Sequence, residues 1–266
     1  MIFHKMTRPE LMNADREAVA VIPLGSTEQH GLHLPVDTDT RLADALCREL
    51  ERRQPERVLL APAMWLGHSP HHLDFGGTLS INYDLYSRML TEVIECFAQM
   101  GFHRILMVNG HGGNGMPMAI TQQEVKLHRP NLMLCGCNYW ELAREELLSL
   151  REGGTYAMGH ACELETSLYL YLEEGAVRKD KIRDAGCPDE SGYFGFGMFN
   201  GGPVSYLTNF SEITDTGAFG CPTRASAEKG KRMFEAISEQ LEKFILYFSK
   251  RDTMIKTMDG HQAEKE

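Results

Sequence analysis

Ala18-Val19-Ala20-Val21-Ile22-Pro23-Leu24-Gly25-Ser26-Thr27-Glu28-Gln29-His30-Gly31 holds the reading that decides the fold. Its first half is a short apolar run rich in β-branched residues, the pattern of a strand buried on both faces. Its second half turns abruptly polar after Gly25. Working outward, Arg57-Val58-Leu59-Leu60-Ala61 and Arg104-Ile105-Leu106-Met107-Val108 read as further buried strands, and Leu132-Met133-Leu134-Cys135 begins another. Helical patterns separate them: residues 40–53, a stripe of Leu85, Met89, Val93, Cys96, Phe97 and Met100 capped by Gly101, and a stretch running to His128 before Pro130. Alternating strands and helices predict parallel pairing through right-handed crossovers, with helices on both faces. The expected fold class is α/β, a single three-layer α/β/α domain with a mostly parallel central sheet.

Further along, residues 163–173 read as an amphipathic helix, and Met233, Ile237, Leu241, Phe244 and Phe248 mark a long C-terminal one. Residues 186–220, rich in Gly and aromatics, read as irregular chain that folds over a site. One domain over residues 1–248 and a polar tail over 249–266 are expected. Net charge is −10, from 27 basic and 37 acidic residues, which argues against a nucleic-acid or anionic-membrane partner. No apolar run approaches the ~20 residues of a membrane span. The first residues lack the pattern of a signal peptide. Seven cysteines, an odd number, suit reduced thiols, so a cytoplasmic protein is expected.

Candidate chemistry sits just past the strands. Glu28 and His30 follow the first, with Asp37 and Asp39 in the same loop; His111 follows another in Asn109-Gly110-His111-Gly112-Gly113-Asn114. In open parallel sheets the crevice beyond the strands' carboxyl ends is the usual binding place. His160-Ala161-Cys162-Glu163-Leu164-Glu165 opens a helix and can close the site from one side. Glu, His and Asp together suit Zn²⁺ or Mn²⁺, and a shared carboxylate can hold two ions ~3.5–4 Å apart. Spacing alone leaves a second reading open, in which these are capped or solvated loop residues.

These segments resemble the creatininase family (creatinine amidohydrolases and their relatives). The family's Gly-Ser-x-Glu-Gln-His-Gly-x-His is similar to residues 25–33, and its Asp, eleven residues after the Glu, falls on Asp39. Its Asn-Gly-His-Gly-Gly-Asn turn matches residues 109–114, and its His-Ala-Gly-Glu-x-Glu-Thr-Ser is similar to residues 160–167. Residues 67–78, 217–222 and 225–230 look like the family too. The resemblance implies a first metal on Glu28, Asp39 and His111, and a second on His30, the bridging Asp39 and one more carboxylate. Creatininase takes that carboxylate from Asn-Gly-His-x-Glu-Asn, where this chain has Gly113; Glu163 is therefore expected to replace it.

The resemblance further implies two divalent cations (zinc or manganese, with Fe²⁺ as another option), a small-molecule substrate, and a homo-oligomer, a hexamer in relatives. The expected reaction is cleavage of a C–N amide bond by water that the ions activate. His160 is the expected acid for the departing nitrogen, since an imidazole shuttles protons near neutrality. His72, Trp140 and Tyr156 are expected to hold substrate. Tyr156 falls where creatininase has a second pocket tryptophan, and His71, Gly76 and Cys162 also depart from the motifs, so creatinine is a poor fit; Cys162 reads best as a small buried thiol. A hydrolase of a cyclic ketone or sugar-derived substrate, a peptidase at a modified peptide end, and a scaffold without turnover are the competing readings. Gly192-x-x-Gly195-x-Gly197 follows no strand and is not a dinucleotide fingerprint, Cys135-x-Cys137 has no second pair, and there is no Gly-x-Ser-x-Gly elbow.

Overall fold

The computed structural model describes residues 1–186 and 191–251. Its strands are β1 (Val19–Leu24), β2 (Val58–Leu60), β3 (Arg104–Asn109), β4 (Met133–Asn138), β5 (Met158–His160) and β6 (Phe219–Gly220). The helices are α1 (Arg8–Asn13), α2 (Thr38–Arg53), α3 (Tyr83–Gln99), α4 (Gly115–His128), α5 (Tyr139–Leu142), α6 (Arg144–Leu150), α7 (Glu163–Glu173) and α8 (Ala227–Phe248). Four strands form an all-parallel sheet in the order β2-β1-β3-β4, and β5 pairs antiparallel with β6 apart from it.

Every residue of β1 and β3 is buried, because both faces of the sheet are covered. Side chains alternate along a strand, so Val19 and Val21 of β1 join a core with α2, α7 and α8. Ala20, Ile22 and Leu24 join the other core, with α3 and α4. The three-layer expectation holds. Pro23 is tolerated inside β1 because its edge faces the short strand β2, which stops at Leu60; its carbonyl accepts from Met64 N–H at 2.9 Å.

The elements fall within a few residues of their expected places. On α3 the buried face is Tyr86, Leu90, Ile94 and Phe97, one residue on from the apolar stripe read in the sequence. Met89, Val93, Cys96 and Met100 of that stripe line a shallow apolar groove with Trp65, and Leu85 is exposed. Both stripes are apolar, so periodicity alone does not choose between them. No helix among the described residues is long and apolar enough to cross a membrane. Most of the expected tail lies outside the described residues.

Candidate active site

The sheet order places β1 between β2 and β3, so the chain leaves β1 in one direction and returns on its other side. That reversal opens a crevice at the carboxyl ends of β1 and β3. The loops carrying Glu28, His30 and His111 start there. A Cβ on Gly25 would sit 2.3 Å from Thr40 Oγ1, and one on Gly110 would sit 2.7 Å from the Asp39 carbonyl. These two glycines therefore let the first turn of α2 press against both strand ends, which delivers Asp39. Asp37 turns away and accepts from the Tyr169 hydroxyl at 2.9 Å. Asn114 braces the loops by donating to the Gly25 carbonyl and accepting from His68 N–H, each at 3.0 Å.

Around this point the acid and imidazole groups converge. His111 Nδ1 lies 3.1 Å from Glu28 Oε2 and 3.2 Å from Asp39 Oδ2. His30 Nε2 lies 3.1 Å from Asp39 Oδ1 and 3.9 Å from Glu165 Oε1. His160 Nδ1 stands 3.6 Å from Glu28 Oε1. All of these groups are buried.

The outer nitrogens decide what the inner ones offer. His30 Nδ1 is 3.1 Å from the Glu28 carbonyl, and His111 Nε2 is 3.1 Å from the His68 carbonyl. A carbonyl only accepts, so each of those nitrogens carries the proton and the neutral ring turns a lone pair inward. Glu28 Oε1 and Oε2, His30 Nε2 and Asp39 Oδ2 are buried without any hydrogen-bond partner. Acceptors buried face to face cost several kcal/mol together unless a positive charge joins them. The donor set fits divalent cations. Three groups of residues have the spacing to hold one: Glu28 with Asp39 and His111, His30 with His160 and Glu165, and Glu28 with His72 and His160.

Protons are the other source of positive charge. Burial pushes His30 down, but Asp39, Glu165 and Glu28 outweigh it and lift the imidazole to about 10. His111 likewise rises well above its ordinary value against burial, through Glu28 and Asp39. Burial pushes Asp39 up, yet His30 and His111 hold it below the usual carboxylate range. Glu165 climbs to about 7 by burial, with Asp39 adding to the shift and His30 opposing it.

The family model of creatinine amidohydrolases matches residues 4–245. This chain belongs to the creatininase family. It is thereby a metal-dependent amidohydrolase. It is 34% identical over 228 residues to the mycofactocin precursor peptide peptidase of Mycobacterium tuberculosis, spanning 82% of this chain and 80% of that one. The 3-dehydro-scyllo-inosose hydrolase of Thermotoga maritima is 30% identical over 258 residues, spanning 91% and 80%. A solved creatinine amidohydrolase superposes with a TM-score of 0.78 at 22% identity, over 93% of this chain and 97% of the other. Creatininase has also been solved in a manganese form and, as a mutant, in a Zn-Zn form.

Against the family's motifs the structure makes two corrections. Glu163, expected at the second metal, points away from the cluster. Its carboxylate accepts from Lys229 Nζ at 2.7 Å and from the backbone N–H groups of Glu152 and Gly153 at 2.8 and 2.9 Å. Residues two apart on a helix do not share a face. Glu165, two positions on, is the α7 acid that turns to His30 and lines the cavity. The second correction is Tyr156, which is half-buried and not among the cavity's lining residues. The wall near Trp140 is built by residues 195–198 instead, where Met198 N–H donates to the Met158 carbonyl and lays that segment along β5.

The cavity over the cluster has a volume of about 350 Å³. His72, His160 and Trp140 line it, joined by Phe196, Phe210 and Phe219, which the sequence did not single out. Phe210 packs tilted against the His72 ring at 4.2 Å and edge-on to the His160 ring at 4.9 Å. Within the Gly- and aromatic-rich stretch, residues 195–198 together with Phe210, Ile213 and Phe219 thus fold over the site. Cys162 is fully buried, and burial with Glu165 beside it pushes its thiol well up, which suits an inert core thiol. Ala161, between His160 and the cap of α7, is held at φ 49°, a left-handed conformation that costs roughly 1–2 kcal/mol for a residue with a side chain. Such strain is often kept where a side chain must be aimed.

Proposed function

We propose that the cluster binds two divalent ions, zinc or manganese, and that the protein cleaves a C–N amide bond in a small molecule or a short peptide end. Glu28, Asp39 and His111 would hold one ion; His30, Asp39 and Glu165 would hold the other, with Asp39 shared. The observation that carries this reading is the set of buried, unpartnered acceptors on Glu28, His30 and Asp39, supplied by the loop after β1 and the first turn of α2 and converging beside His111 from the loop after β3. When bound, the ions would lower the pKa of water and polarise the scissile carbonyl.

The chain's own residues do the rest. His160 Nδ1 faces the cluster from the cavity wall and takes a proton from the attacking water, then yields it to the departing nitrogen. Trp140, Phe196 and Phe219 supply apolar walls that exclude bulk water and hold an apolar or planar group. A cavity of about 350 Å³ falls within the range of pockets for drug-sized ligands, which favours a substrate larger than a single small ring. That size and the aromatic walls support a peptide-end amide ahead of creatinine, in line with the relative that is a peptide peptidase. Protein loaded with Zn²⁺ or Mn²⁺ should hold two ions and hydrolyse members of a panel of cyclic amides, formamides and short peptides ending in aromatic residues. Two bound ions with turnover only of a cyclic ketone would move the assignment to a non-amide hydrolase. No stoichiometric ion would end the reading altogether.

A further inference from the structure

We propose that Gln29 is a positioning residue that fixes opposite tautomers in His72 and His160, so that His72 presents an Nε2–H donor to the cavity while His160 presents an Nδ1 acceptor. The inference rests on the site reading above. It follows from counting protons. Gln29 lies between two cluster residues and is buried. Its amide orientation is set by two groups that cannot change role: Gly31 N–H donates to Oε1 at 3.0 Å, and the Gly217 carbonyl accepts from Nε2 at 2.9 Å.

The amide nitrogen has two protons. One goes to Gly217. The other goes to His72 Nδ1 at 2.8 Å, which therefore accepts. The neutral His72 ring must then carry its proton on Nε2, 3.3 Å from Glu28 Oε1. His160 is governed by the backbone of the same residue. Its Nε2 lies 2.8 Å from the Gln29 carbonyl and must donate, leaving the Nδ1 lone pair toward the cluster. His160 Nε2 is also 3.2 Å from Gln29 Nε2, but both amide protons are already committed, so that contact is not a hydrogen bond.

This separates His72 from the other rings. Spacing alone makes Glu28, His72 and His160 a possible metal group. For His72 to ligate through Nε2, however, its Nδ1 would have to carry a proton that meets the Gln29 amide proton head-on, and flipping the amide would break the bonds to Gly31 and Gly217. His72 is thereby a donor and not a ligand. The two rings stack at 4.3 Å, so a donor and an acceptor stand side by side over the carboxylates. In amide hydrolysis the C–O bond forms as the carbonyl oxygen gains charge, and His72 Nε2–H, on the cavity wall and 3.3 Å from Glu28 Oε1, would favour that charge as a donor shared with the carboxylate. The water proton passes to His160 Nδ1 and on to nitrogen as the C–N bond breaks.

The test is solid-state ¹⁵N spectroscopy of ring-labelled histidine in protein loaded with Zn²⁺, with the His72 signals assigned by their loss in His72→Asn. Wild type should show His72 with protonated Nε2 and bare Nδ1, unmoved by zinc. Gln29→Glu at pH 8 should invert this, and Gln29→Met, which removes the donor without adding a charge, should shift the tautomer ratio by about tenfold or more. Zinc stoichiometry should stay unchanged in both variants. A wild-type His72 with protonated Nδ1, a His72 Nε2 signal that shifts on zinc loading, or an unaltered tautomer in both variants would overturn the proposal. Because wild-type tautomers are also read without metal, a failure of zinc binding would undo the metal reading and leave the Gln29 assignment standing.

Discussion

The two acids of α7 invite a paired substitution, Glu163→Gln against Glu165→Gln. Glu163 is fully buried and accepts three hydrogen bonds, one from Lys229, itself almost fully buried. Neutralising it leaves a buried ammonium without its main counter-charge. Breaking a buried pair from one side typically costs 3–5 kcal/mol. Lys229 keeps the Arg224 carbonyl at 2.6 Å and the exposed Glu152 carboxylate at 3.2 Å, so the low end applies, about 3 kcal/mol. For a domain of this size that lowers Tm by about 6–12 °C. Glu165→Gln should behave in the opposite way. Burial and its acidic neighbours lift that carboxyl to about 7, so a neutral amide relieves the metal-free protein and leaves Tm unchanged or higher. The same change should remove one ion per chain. Thermal melts of the metal-free variants, alongside zinc content by elemental analysis, read both effects. If Glu163→Gln loses an ion at unchanged metal-free Tm while Glu165→Gln keeps both, the assignment of the two acids is wrong.

Three further outcomes follow from the same geometry. His30, lifted to about 10, and His111, lifted well above its ordinary value, are protonated near neutrality in metal-free protein and must lose those protons to ligate. Loading both ions should therefore release about two protons at pH 8 and nearly three toward pH 6.5, where Glu165, lifted to about 7, is also protonated, so binding strengthens at least a hundredfold per pH unit, and calorimetry in buffers of different ionisation heat would expose a flat dependence. Gly113→Glu, which restores the carboxylate position of creatininase's turn, should fail to supply a ligand, because its Cβ would sit 2.2 Å from the His68 carbonyl and 2.4 Å from His111 Nε2. Loss of metal and of Tm together is expected, and a two-ion Gly113→Glu protein would refute the clash. His160→Ala should keep both ions and lose about 10²–10⁴-fold in turnover of any panel amide that the wild type cleaves, whereas loss of an ion would make His160 a ligand.

The sheet was legible because β1 is apolar throughout and β3 is apolar from Ile105 to Val108, and both are followed at once by glycine and ligand-type residues. Asp39 was preferred over Asp37 only by its motif spacing; the physical reason appears in the structure, where Asp37 is held by Tyr169 across 132 positions of sequence. Long-range partners of that kind leave no local signal. The same holds for Lys229, 66 positions from Glu163.

The misplacement of the α7 acid has a sharper cause. A helix with one wet face reveals its orientation through its hydrophobic stripe, but residues 163–170 are buried on every side. Periodicity then carries no information about which of Glu163 and Glu165 faces the metals, and a motif containing both is equally silent. Burial all round requires each acid to have its own compensation: Lys229 for one, the His30 side of the cluster for the other. Two carboxylates set two residues apart on a fully buried helix therefore call for two separate positive partners. Here one is a lysine on α8, and the proposed other is a divalent cation shared with Asp39.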